Sequence, residues 1–229
     1  MEITWLGHSC FRIKGKEATL ITDPCSPETG YNINSPQADI VTVSHDHRGH
    51  NYIAPIEPVP VPPLRGIAPD AIIYARPKLI HGPGEYEIAN VLITGIPAFH
   101  DSEEGGQRGK NCVYSIEIDG MTLCHLGDIG HSLSSGLVDS LSGLDVLFLP
   151  VGGNSTINAV TAVEILRALE PKIIIPMHYL TEKSAVNLEP LDRFLSHMAL
   201  KDVVPVNRLS VTRSNLTDQN RVVVMDYPR

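Results

Sequence analysis

His45, His47 and His50 fall within six positions, in the run Ser44-His45-Asp46-His47-Arg48-Gly49-His50-Asn51. Neutral imidazoles gathered this closely suit zinc and its first-row neighbours, so the cluster reads as part of a metal site. His45 and His47 are two apart and point the same way where a strand gives out, and a turn at Gly49 lets His50 swing round to join them. For this stretch alone, a solvated loop that happens to be rich in histidine is the competing reading.

Asp23, His45 with His47, His100, Asp128 and His178 each stand where a separate apolar, strand-like run stops. In layered β/α folds, functional groups sit on loops along one sheet edge, held by the rigid strands behind them. One polar residue in such a place is common, but five of metal-ligating type favour a metal centre.

The elements that must position these residues read as strands over 2–6, 9–14, 18–22, 39–43, 71–74, 78–80, 91–99, 112–118, 121–126, 145–149, 172–175, 209–212 and 221–225. Asp119-Gly120 marks a hairpin between two of them. Helices are expected over 158–170, stopped by Pro171, and over 190–200. Six prolines within 54–69 predict an extended loop, and the polar, Gly-rich stretch 102–110 a flexible one. Strands early and β/α alternation later suggest an α+β sandwich of sheets covered by helices, as one domain over 1–229.

With 42% hydrophobic and 19% charged residues, the chain is globular rather than disordered. Its net charge of −8 argues against nucleic acid or an anionic membrane as the main partner. No apolar run approaches the roughly 20 residues of a membrane span. The start runs straight into a strand-like pattern, which predicts no signal peptide, and Cys10, Cys25, Cys112 and Cys124 form no close pair. These features lead to the expectation of buried thiols and a cytoplasmic protein, with a homo-oligomer left open.

The pattern His45-Asp46-His47-Arg48-Gly49-His50, followed by His100, Asp128 and His178, resembles the metallo-β-lactamase-fold hydrolase superfamily, whose signature is H-x-H-x-D-H with a later His, Asp and His. Trp5-Leu6-Gly7-His8-Ser9, Thr22-Asp23-Pro24, Pro83-Gly84-Glu85-Tyr86, Arg108-Gly109-Lys110-Asn111, His125-Leu126-Gly127-Asp128-Ile129-Gly130-His131 and Pro150-Val151-Gly152-Gly153 are similar to the branch containing L-ascorbate-6-phosphate lactonase. The resemblance implies a four-layer αββα sandwich. It also implies one metal on His45, His47 and His100, a second on His50 and His178, Asp128 between them, and a hydroxide nucleophile. Zn2+ is the expected ion, with Mn2+ or Fe2+ as alternatives. One departure stands out: Gly49 replaces the family's Asp. That loss predicts a tight first metal and a weakened second.

Other residues carry narrower expectations. Asp23 would accept a hydrogen bond from a ligand histidine and set its tautomer, against the alternative of a simple Asp-Pro turn. By the resemblance, His8 would contact substrate, against a structural role in its turn. His131 would protonate a leaving group, or else cap the segment after it. Arg108 and Lys110 would bind a substrate phosphate or carboxylate, unless they are ordinary solvated loop charges. Thr156 would donate to a substrate oxygen, or cap a helix. Together these point to a metal-dependent hydrolase acting on a small anionic ester, lactone or phosphodiester, with Asp128 and His131 as its catalytic pair. A binding or scaffold module with a degenerate metal site, suggested by Gly49, and an RNA-processing nuclease are the rivals.

Overall fold

Apolar residues alternating between two faces build a pair of sheets packed against each other. A computed structural model describes residues 1–61, 73–217 and 219–227. Strands β1 (Glu2–Gly7), β2 (Cys10–Lys14) and β3 (Thr19–Thr22) form an antiparallel meander, which β4 (Ile40–Val43) joins in parallel. β5 (Val59–Val61) pairs with β6 (Ile73–Ala75) as a separate ribbon, and β7 (Lys78–His81) runs parallel to β4. β8 (Gly84–Ile88), β9 (Val91–Phe99), β10 (Lys110–Ile118) and β11 (Met121–His125) form a second antiparallel meander. β12 (Val146–Pro150) and β13 (Ile173–Met177) extend it in parallel. β14 (Leu209–Ser210) returns to β1, and β15 (Arg221–Val222) to β13.

The resulting sheets have the orders β14-β1-β2-β3-β4-β7 and β15-β13-β12-β11-β10-β9-β8. One face of each meets the other in a core that includes Phe11, Ile13, Leu20, Ile40, Tyr114, Ile116 and Phe148. Helices α1 (Ser135–Ser140), α2 (Ala159–Leu169) and α3 (Leu191–His197) add Leu137, Leu166 and Phe194 to that core. α2 begins where Asn158 Oδ1 accepts a hydrogen bond from the Thr161 amide, and it ends at Glu170 in a left-handed conformation (φ 45°) before Pro171. Its buried residues Ala162, Val163, Leu166 and Leu169 lie on the stripe that the periodicity predicts.

The α+β sandwich is present, with one difference from four complete layers. The outer face of the first sheet presents Cys10, Ile21, Val41 and Val43, and it is covered by Cys25, Tyr31, Ile33, Ala38 and Ile56. Among the described residues, the stretch from 24 to 38 holds only a single 3-10 turn, Pro27–Thr29. Pro24, Pro27, Gly30 and Pro36 keep it from becoming a helix. The sequence patterns also pass over β8, an edge strand with little buried surface, and α1, which is too short to show a period. Within the Pro-rich region, Val59–Val61 pairs rather than looping, because a two-stranded ribbon consists only of edges, where a proline's missing N–H is tolerated. The part of that region beyond position 61 lies outside the described residues. All four cysteines are buried free thiols, and no described helix is long and apolar enough to cross a membrane.

Tyr114 ties the sheets together beneath the His cluster. Its buried hydroxyl donates to the Val43 carbonyl (2.8 Å) at the end of β4 and accepts from the Gly82 amide (2.9 Å) just past β7. Tyr114→Phe strands both backbone groups and should cost about 1–3 kcal/mol. The expected result is a lower urea midpoint with an unchanged slope, and an unchanged midpoint would refute the role.

Candidate metal centre

Strand ends deliver the site. Asp23 follows β3, His45 lies two residues beyond β4, His100 follows β9, Asp128 lies three beyond β11, and His178 follows β13. His8 occupies the tight turn between β1 and β2. Two glycines let the loops close up: a Cβ on Gly152 would come within 2.0 Å of the His178 carbonyl oxygen, and one on Gly130 within 2.4 Å of the His100 backbone. Any side chain at either position would push a histidine out of place.

The imidazoles form two trios, each with ligand atoms within 4.8 Å of one another: His45, His47 and His100, and His8, His50 and His178. Asp128 stands between them. Its Oδ2 lies 3.2 Å from His50 Nε2, 3.2 Å from His178 Nε2, 3.3 Å from His100 Nε2 and 3.9 Å from His45 Nε2. Of these residues only His47 is exposed.

The surrounding hydrogen bonds fix which nitrogen faces inward. Ser44 Oγ donates to Asp23 Oδ2 (2.5 Å), so His45 Nδ1–H must donate to Ser44 Oγ (2.9 Å), which leaves His45 Nε2 with a free lone pair. His50 Nδ1–H donates directly to Asp23 Oδ2 (2.8 Å), which turns His50 Nε2 toward Asp128. One buried carboxylate thereby orients two rings, one directly and one through a hydroxyl. Asn111 performs the matching task for Asp128. Its Oδ1 accepts from the Asp128 amide (3.0 Å) while its Nδ2 donates to the Leu126 carbonyl (2.9 Å).

Electrostatics match this arrangement. Burial first, and then His50, hold His45 down at about 3. Burial and the neighbouring His178 hold His8 well below the usual imidazole range. Burial alone would raise Asp128, but His178 and His50 outweigh it and keep the carboxyl well below the usual range. His50 is the exception: burial pushes it down, yet the Asp128 and Asp23 carboxylates lift it to about 10.

Metal ions fit this donor set. His8 Nδ1, His45 Nε2, His100 Nδ1, Asp128 Oδ1 and His178 Nδ1 are buried without a hydrogen-bond partner among the described residues. Each such atom costs about 1–3 kcal/mol. A cation beside Asp128 would satisfy His45 Nε2 and Asp128 Oδ1, whereas His100 and His178 turn Nε2, not the unpartnered Nδ1, toward Asp128.

The remaining candidates divide. Arg108 lines both cavities at the site, one of about 450 Å³ over the two trios and one of about 700 Å³ beside His45, Phe99 and Lys110. Lys110 is exposed at the start of β10 and lines the larger one. His131 spends both ring nitrogens on backbone: Nδ1 donates to the Ser132 carbonyl (2.8 Å) and Nε2 accepts from the Phe99 amide (3.2 Å). No nitrogen is left to protonate a leaving group, which corrects the general-acid expectation. Thr156 turns its hydroxyl to the Gly153 and Ile157 carbonyls (3.4 Å each), and Ser155 lines the cavity in its place.

The loop after His100 is tied down rather than flexible. The Asp101 carboxylate accepts from the amides of Glu103 (2.8 Å), Gly105 (2.9 Å), Gln107 (3.0 Å) and Arg108 (2.6 Å). Ser44, Asn111 and Asp101 are the functional positions that the spacing argument passes over. The signal for Asp101 was an Asp opening a Gly-rich loop, where its carboxylate can cap free amides.

Residues 2–178 match the family model described as the beta-lactamase superfamily domain. The UPF0173 metal-dependent hydrolase of Staphylothermus marinus is 32% identical over 198 residues, covering 78% of this chain and 83% of the relative. Its counterpart in Thermococcus kodakarensis is 31% identical over 209 residues, covering 79% and 85%. The crystal structure of a candidate Zn-dependent hydrolase of the metallo-beta-lactamase superfamily from Thermotoga maritima is similar over 99% of both chains, with a TM-score of 0.75 and 33% identity.

The four amides, Arg108 first, hold the Asp101 carboxyl down at about 2. A depressed folded pKa means that this contribution to stability is complete above about 4, the unfolded value, and is lost as pH falls toward 2. The Glu103, Gly105, Gln107 and Arg108 amide shifts should therefore titrate together near that pH in an NMR series. Asp101→Asn should raise their hydrogen exchange at neutral pH while leaving β9 and β10 protected, and unchanged exchange would refute the account.

Proposed function

We propose, since the chain belongs to the beta-lactamase superfamily and to its UPF0173 metal-dependent hydrolase family, that it hydrolyses a small anionic ester, lactone or phosphodiester. The observation that carries this reading is the approach of four imidazole nitrogens to one Asp128 oxygen at 3.2–3.9 Å. That arrangement is costly unless cations share it. Zinc is the ion that the predominance of imidazole favours.

Bound divalent cations supply Lewis acidity and bring the pKa of a water toward neutrality. The chain's own residues do the rest. Asp23 and Ser44 hold His45 and His50 in the tautomer that directs Nε2 inward, and Asn111 fixes the backbone of Asp128. Arg108 stands where the two cavities meet and Lys110 in the wall of the larger one, so a substrate phosphate or carboxylate would be drawn there. Arg108 Nη2 donates to the Asn154 carbonyl (3.2 Å), which aims the guanidinium across the mouth. Because His131 is committed elsewhere, no protein acid is assigned to the leaving group.

The test is a panel of ester, lactone and phosphodiester probes on protein purified without added metal. Hydrolysis of at least one class should vanish with chelator and return with Zn2+. His100→Ala should lower kcat/KM by more than about 100-fold, since losing even an outer partner of a metal ligand costs 10–100-fold. Lys110→Ala should raise KM for anionic probes about tenfold with kcat nearly unchanged, the equivalent of one charge-assisted hydrogen bond. Hydrolysis that survives both chelation and His100→Ala would overturn the proposal. Silence across every class would favour a binding module, and a steeply salt-dependent affinity for RNA would favour a nuclease.

A further inference from the structure

Gly49 removes a carboxylate from the pattern that the chain otherwise follows, and the structure shows what fills the space. A Cβ built on Gly49 would lie 3.1 Å from His8 Nε2 and 3.3 Å from His8 Cδ2. The glycine and the histidine are complementary, since any larger residue at 49 would press on that ring. The His8 ring lies 4.2 Å from His178 and 5.0 Å from His50, centroid to centroid. It is 4% exposed, lines the cavity over the two trios, and its Nδ1 has no partner among the described residues.

The backbone holds His8 in this position against its own preference. With φ of 53°, His8 lies in the left-handed region, where a turn of this kind ordinarily takes Gly or Asn. Its carbonyl is clamped from two sides, accepting from Trp5 Nε1 (3.0 Å) and from the His178 amide (3.2 Å). The second contact couples the turn directly to the strand end that carries the other histidine of the trio. Strain at a position whose side chain packs into a cavity is a mark of function.

We infer that His8 is a ligand of the second metal ion, joining His50 and His178 in place of the carboxylate absent at Gly49. The inference rests on the reading of this site as a metal centre. It reverses the expectation that the second metal is weak, because three imidazoles with a share of Asp128 form a full protein donor set. It also sets the selectivity of that position. A site of nitrogen donors favours Zn2+, Co2+ and Ni2+, and disfavours Mn2+ and Mg2+, which prefer oxygen.

The test is metal binding by equilibrium dialysis with elemental analysis, using Zn2+, and the visible spectrum of the Co2+ form. His8→Asn is the main variant, because asparagine tolerates positive φ and keeps the turn. Wild type should bind two Zn2+ per chain. His8→Asn should keep the first with unchanged affinity and bind the second more than about 100-fold more weakly, losing the corresponding part of the Co2+ spectrum. His8→Asn combined with Gly49→Asp should restore the second equivalent, which a purely structural role for His8 would not produce. Two equivalents of unchanged affinity in His8→Asn would overturn the inference while leaving the metal centre intact. A wild type that binds a single equivalent, identical to His8→Asn, would do the same. A wild type that binds no metal would overturn the metal-centre reading itself.

Discussion

Asp128 is a fully buried carboxylate ringed by imidazoles, and the rest of the structure is arranged around the cost of placing it there. A buried anion is tolerated only where cationic or hydrogen-bonding groups surround it. Histidines that were all protonated would repel one another at ring separations of 4.2–5.8 Å, the spacing of the buried pairs here. Rings that were all neutral would leave Asp128 without a counter-charge. The cluster is therefore stable only with positive charge between the rings, as a proton or as a metal ion. This one requirement explains why Asp23, a second buried carboxylate, stands behind the rings and not among them. From there it favours His50 Nδ1–H and, through Ser44, the same tautomer of His45.

Backbone conformation bears part of that cost. His8, Asp23 and His178 all have positive φ, at 53°, 38° and 52°. Each such residue costs on the order of 1–3 kcal/mol and persists only where its surroundings over-determine it. Here they do. The His8 carbonyl accepts two hydrogen bonds, Asp23 accepts from the Ser44 amide as well as from side chains, and the His178 backbone is packed against Gly152. The sharp turns at strand ends are what let short loops point so many side chains at one spot. A site on longer loops would avoid the strain and lose the precision.

The strands were legible because their alternation is strong and their ends carry unmistakable residues: β9 and the Asp119-Gly120 hairpin follow directly from the pattern. The clustering of His45, His47, His50, His100, Asp128 and His178 was legible for the same reason, since imidazole or carboxylate at the end of an apolar run is chemically conspicuous. Less visible were groups whose role depends on contacts across the fold. His131 looks catalytic by position, three residues after Asp128, and only its hydrogen bonds to Phe99 and Ser132 show otherwise. His8 looks like a turn residue, and its place beside His50 and His178 depends on the packing of two sheets. Asp101 was hidden by a general expectation about Gly-rich loops, which fails when one carboxylate caps four amides. Local pattern reports which residues end a strand, but it does not report what faces them from the other sheet.

Charge around the centre is uneven. The chain is acidic overall, at −8, yet Arg108 borders both cavities and Lys110 the larger one, while Arg48 at the smaller cavity is paired with Glu28 (2.8 Å). At physiological salt the field of distant charges fades within about 8 Å, so the charges nearest the mouth weigh most there. A small anion at the mouth therefore responds to the nearby cations. On the reading that His8 replaces a carboxylate, Asp128 would be the one side-chain anion among the residues that would hold metal there, so the centre would keep more positive charge than a carboxylate-rich one. The substitution that looks like decay in the sequence would then strengthen the local positive charge around the two trios.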